Sequence, residues 1–170
     1  MRTSHLAVVT GAIGAIFSGC TFTVSHSISA SDLQNDLSSQ LEKAGSKPQS
    51  VTCQGDLNGA VGQSTNCQIV MTPVNTFEAH VTVTGVDGDK VNFDATPALT
   101  QDQLQKQVLS IETQQNHLQV ASVNCQSGLN GKVGQTANCT LNGADGQTLN
   151  TVVTMVKVNG MLMQFDIKQV

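Results

Sequence analysis

Residues 53–67 read CQGDLNGAVGQSTNC and residues 125–139 read CQSGLNGKVGQTANC. A chain that carries one cysteine-closed phrase twice carries one folding unit twice. The offset of 72 residues persists beyond the phrase. Val81-Thr82 falls on Val153-Thr154, Val86-Asp87-Gly88 on Val158-Asn159-Gly160, and Phe93-Asp94 on Phe165-Asp166. A length of 170 residues alone would suggest one domain. The repeat divides it into two, 31–97 and 98–170.

Each unit opens with a helical signal. Ser31-Asp32-Leu33-Gln34 and Thr100-Gln101-Asp102-Gln103 both have capping-box spacing. Leu33, Leu37 and Leu41 then form one apolar stripe, and Leu104, Val108 and Ile111 another, so each helix lies on something. Gly45 and Pro48 stop the first helix. Beyond the helix the period changes to two, with Phe77, Ala79, Val81 and Val83 matched by Leu149, Thr151, Val153 and Met155. Asp87-Gly88 and Asn159-Gly160 predict two-residue hairpins with positive φ at both central positions. Return strands follow through Val91 and Phe93, and through Met163, Phe165 and Ile167. The expected fold class is α+β: two tandem two-layer domains, each a helix on an antiparallel meander of about four strands.

A domain of about 70 residues rarely gains more than about 3–5 kcal/mol from its core. This one has five Phe and no Tyr or Trp to fill two cores. A staple is expected, and only Cys53–Cys67 with Cys125–Cys139 treats both copies alike and keeps each domain self-contained. Zinc or redox chemistry favours close C-x-x-C pairs, which are absent from the sequence, so no metal is expected. Within the loop, Leu57, Val61, Leu129 and Val133 are read as packed inward, and the glycines as tight turns. A phosphate cradle would need a following helix with Lys and Ser or Thr.

The fifth cysteine belongs to the N-terminus. Arg2 precedes a short apolar run from Leu6 to Phe17, too short to span a bilayer comfortably. Phe17-Ser18-Gly19-Cys20 resembles the lipobox of bacterial lipoproteins, with Phe17 in place of the usual Leu. The resemblance implies a signal peptide over 1–19 and lipidation of Cys20. That would hold the protein at the extracytoplasmic face of the plasma membrane, where disulfides form. Residues 20–30, rich in Ser and Thr and including His26, read as a tether.

V-x-C, a short Leu-containing stretch, V-G-x-x-x-x-C, a hairpin and a closing strand occur in both copies. Together they resemble an uncharacterised domain of actinobacterial, largely mycobacterial, cell-envelope proteins, catalogued as domain of unknown function 4333. The resemblance covers most of the chain beyond the signal. It implies a location outside the membrane and a fold, and it transfers no activity and no site residues.

No constellation of base, nucleophile and orienter stands out in the sequence. His80 lies out of phase with the buried positions of its strand and is expected to face solvent, and His117 lies near a helix end. Asp94 and Asp166 recur at matching positions, expected at strand ends, where a turn or strand-end hydrogen bond accounts for them. Asp87 and Asp89 form half of a calcium loop without its closing Glu. The expectation is a non-enzyme without cofactor. A net charge of −4 argues against nucleic acid as partner. Two functions fit: a protein-binding or adaptor module with an envelope protein as partner, or a carrier of a small lipidic ligand held between helix and sheet. An enclosed dry cavity would favour the carrier. A solid core with an exposed apolar patch would favour the adaptor. The sequence leaves the oligomeric state open.

Overall fold

The computed structural model describes residues 26–170. The first domain contains β1 (Ser27–Ile28), α1 (Ala30–Lys43), β2 (Ser50–Cys53), β3 (Leu57–Asn58), β4 (Ser64–Val70), β5 (Thr76–Asp87) and β6 (Lys90–Leu99). The second contains α2 (Gln101–Gln114), β7 (Val120–Cys125), β8 (Leu129–Asn130), β9 (Thr136–Gly143), β10 (Thr148–Asn159) and β11 (Leu162–Gln169). The sheets run β2-β4-β5-β6-β8 and β7-β9-β10-β11, with β1 paired to β3 alone, all antiparallel. This is the expected α+β architecture, one helix and one four-stranded meander per copy.

Alternation builds the inner face of each sheet. Phe77, Ala79, Val81 and Val83 are buried along β5, as are Thr151, Val153 and Met155 along β10. Leu33, Leu37 and Leu41 of α1 are at most 1% exposed against that layer. Burying a leucine side chain is worth about 1.5–3 kcal/mol, so this stripe is the main adhesive of the helix. The second stripe differs from expectation. Ile111 is only half-buried, and Glu112 takes the buried position that Leu41 holds in the first copy. Asn116 Nδ2 donates to Glu112 Oε2 at 2.8 Å, which satisfies the buried carboxylate.

The first helix begins before the expected Ser31. Ser29 is the N-cap, and its Oγ accepts from the backbone N–H of Asp32 at 3.1 Å. The Thr100 capping box is complete, with both reciprocal hydrogen bonds to Gln103 present. The second helix closes through His117, the one non-glycine residue with positive φ (55°) among the described residues. An imidazole-bearing residue in the left-handed region gives no stop signal of the kind Gly45 gives.

Three more expectations change. The hairpin turns centre on Gly88-Asp89 and Gly160-Met161, because Asp87 pairs with Lys90 and Asn159 with Leu162. Only the glycine of each turn has positive φ (60° and 58°), the pattern of a turn with Gly at its first central position. Residues 27–30 of the expected tether are strand, cap and first helical turn of the first domain. His26, read as a solvated tether residue, is partly buried, and its Nε2 lies 3.3 Å from Asp89 Oδ1. The signal segment and Cys20 lie outside the described residues.

The domains share a strand. Most of β6 completes the first sheet, while its last residues Ala98 and Leu99 pair with Asn130 and Leu129 of β8. In the first copy Ser27 and Ile28 make the equivalent pairs with Asn58 and Leu57.

Candidate binding groove

The repeated phrase is a small machine for closing each domain. Cys53 pairs directly with Cys67 across β2–β4, and Cys125 with Cys139 across β7–β9. Both pairs are disulfides, with S–S distances of 2.04 and 2.06 Å. Between the cysteines, Leu57 and Leu129 are buried beneath the incoming strand. Gly59 and Gly131 follow them because the chain passes directly above. A Cβ at Gly59 would overlap the His26 carbonyl, and one at Gly131 the Pro97 carbonyl. The turn then reaches Gly62 and Gly134, at φ 86° and 87°. Gly62 N donates to Val83 O and Val83 N to Gln63 O, both at 2.9 Å. Gly134, Met155 and Gln135 repeat this clamp. The strand bulges just past the clamp in both copies, after Val83 and after Met155.

A glutamine ties each helix to its disulfide. Gln34 Oε1 accepts from Cys53 N at 2.9 Å, and Gln105 Oε1 accepts from Cys125 N at 3.0 Å. Gln101 Nε2 adds a hydrogen bond to Cys125 O. Gln34, read above as part of a capping box, therefore satisfies an edge strand. Gln34 and Gln105 lie 71 positions apart, not 72, as do Leu33 and Leu104. A search at the helix offset could have found them.

The other singled-out residues are scattered. Val61 and Val133, expected inside, are 67% and 60% exposed at the loop tips. They sit beyond the strand crossing, where the turn has nothing above it to pack against. His80 faces solvent as expected, with Nδ1 2.8 Å from Asn66 Oδ1 of the neighbouring strand. Asp94 and Asp166 lie within β6 and β11, opposite Thr82 and Thr154 and exposed, not at strand ends. Asp166 Oδ2 is 3.6 Å from Lys168 Nζ. Among the described residues, no group of three or more His, Cys, Asp or Glu is placed to hold a metal ion. No described helix is long and apolar enough to cross a membrane.

A broad concavity opens at one end of the second domain. A groove of about 600 Å³ opens between the α2–β7 connection and the β9–β10 turn. Leu118, Val120, Leu141 and Leu149 form its apolar lining, and Gln119, Asp145 and Gln147 supply polar groups. Leu118 is 42% exposed, a large apolar side chain facing water. The groove follows from substitution between the copies. Gly143 stands where the first copy has Met71, and Leu149 where it has Phe77. Neither the groove nor its lining was legible from the cysteine phrase, because it lies at the opposite end of β9.

The model of the family described as "Domain of unknown function (DUF4333)" matches residues 11–88 and 90–160. No curated protein and no solved structure matches the chain.

Proposed function

The chain belongs, through two tandem segments, to the DUF4333 family, and from that premise we propose that it is a non-catalytic adaptor of the cell envelope. In this reading Cys20 is lipidated, residues 1–19 are a cleaved signal, and the two domains stand outside the plasma membrane of an actinobacterium on a short tether. The observation that carries the binding role is the open groove on the second domain, with Leu118 exposed at its edge. A groove of about 600 Å³ lined by apolar side chains with a few polar groups among them is the form a recognition site takes. The helix–sheet layer is filled by fully buried leucines and valines. The free volume lies at the sheet end and open to solvent, which supports surface contact with a protein over a lipidic ligand enclosed between helix and sheet.

In-cell crosslinking of the wild-type and Cys20→Ala chains, with a palmitate analogue as label, tests this reading. The wild type is expected to be labelled and to trap a reproducible envelope protein, and the variant to be unlabelled. Co-purifying lipid without any trapped protein would move the reading to a carrier. Labelling of the variant would remove the lipid anchor from it.

A further inference from the structure

The groove of the second domain is the repeat equivalent of a surface that the first domain already uses. Met71, Asn75 and Phe77 stand 72 residues before Gly143, Gln147 and Leu149. In the first domain those three face the second domain across a cleft of only about 130 Å³. The opposite wall comes from the β10–β11 hairpin, through Met161, Met163 and Phe165, and from Gln107 of α2. Gln107 Nε2 donates to Thr76 O at 2.9 Å. Met161 is a turn residue, yet it is 5% exposed because the hairpin tip is covered by this joint. In the second domain Gly143, Gln147, Thr148 and Leu149 line the open groove instead. Thr148 there is the counterpart of Thr76, the residue whose carbonyl takes the Gln107 hydrogen bond.

We propose that this groove receives an apolar β-hairpin of a partner protein, seated as β10–β11 is seated against the first domain. The proposal rests on the adaptor reading and specifies its partner. The hairpin would carry Met-, Leu- or Phe-type side chains at and beside its turn, with a side-chain amide alongside to donate to the Thr148 carbonyl. The joint inside the chain shows which chemistry this surface accepts. It also argues against a second copy of the same chain. The β10–β11 hairpin is already engaged within its own molecule. The β5–β6 hairpin has Asp89-Lys90 where the other has Met161-Leu162, and the Asp89 side chain is 98% exposed. Burying that carboxylate in an apolar groove carries a desolvation cost that the apolar hairpin avoids. With Gly143 and Leu149 in place of Met71 and Phe77, the groove is deeper than the joint and takes bulkier apolar side chains.

The test uses the full-length chain in detergent and a fluorescein-labelled, backbone-cyclised peptide of residues 157–166, KVNGMLMQFD. A second peptide carries Met161→Asp, and the chain is prepared as wild type and as Leu118→Arg. Leu118 is half exposed, so its replacement should leave the melting temperature unchanged, and that is checked. Saturable anisotropy is expected for the parent peptide, with at least tenfold weaker binding for the Asp peptide and for the Leu118→Arg chain. A photo-crosslinker at the Met161 position should map to residues 118–120 or 141–149. Equal binding of both peptides, indifference to Leu118→Arg, or crosslinks to the Met71–Phe77 surface would each overturn the proposal. So would displacement of the parent peptide by a free fatty acid, which would make the occupant a small apolar ligand. A trapped envelope protein that still binds the Leu118→Arg chain would overturn this inference and leave the adaptor reading standing.

Discussion

Replacing Cys125 and Cys139 together by alanine opens one covalent ring and leaves the other intact. The two cysteines are separated by 14 positions, as are Cys53 and Cys67. A fifteen-residue ring removes about 3 kcal/mol of chain entropy from the unfolded state. For a domain of 60–100 residues, 1 kcal/mol moves the melting temperature by roughly 4–8 °C, so the loss should be about 12–24 °C. Cys125 and Cys139 are also buried, at 0% and 3% exposure. Losing two buried sulfurs therefore adds a packing cost to the entropic one. Calorimetry of both double variants, without reductant, gives the comparison directly. Rings of equal length predict equal entropic losses in the two copies. A fall of less than about 4 °C in either would refute the view that the ring constrains the unfolded chain. Losses differing by more than about 1 kcal/mol would place the difference in local contacts, of which the hydrogen bonds from Gln101 to Cys125 O and from Thr151 Oγ1 to Cys139 O are present only in the second copy.

Gln34→Ala leaves the part-buried Cys53 amide without its acceptor and should cost about 1–3 kcal/mol, with faster hydrogen exchange at that amide as the local readout. Gly131→Ala forces a methyl into the Pro97 carbonyl and should cost about 1–3 kcal/mol by overpacking. Gly55→Ala, with open space around it, should stay within about 0.5 kcal/mol in the same denaturation series. Ser29→Ala should lose about 1 kcal/mol as a true N-cap, and Ser31→Ala clearly less; the reverse order in thermal melts would restore the helix start at Ser31.

Much of what depends on local pattern was legible in the sequence. The offset of 72 exposed the duplication, the disulfide pairing and the order of strands. The alternation along β5 and β10 identified their buried faces. Part of what was hidden depends on pairing between distant segments. Ser29 caps the helix rather than Ser31 because Ser27 and Ile28 are drawn onto Asn58 and Leu57. Nothing within the segment 27–31 itself says so. Val61 and Val133 look like core residues, but their turn projects past the strand that buries Leu57 and Leu129. Glu112 was missed because its burial depends on Asn116, one turn later on the chain. The groove was out of reach because it arises from two quiet substitutions, Gly143 for Met71 and Leu149 for Phe77. A side-by-side reading of the two copies for size, rather than for identity, would have flagged both.

Strand β6 has ten residues, and at about 3.3 Å per residue it extends roughly 33 Å. One end is woven into the first sheet and the other is pinned to Leu129 and Asn130. No slack chain intervenes, since α2 starts two residues after β6 ends. The pair therefore behaves as a caliper with fixed jaws. A partner that touched both domains would be selected by the spacing of its own contact points, with little room to absorb a mismatch by swinging one domain about the other.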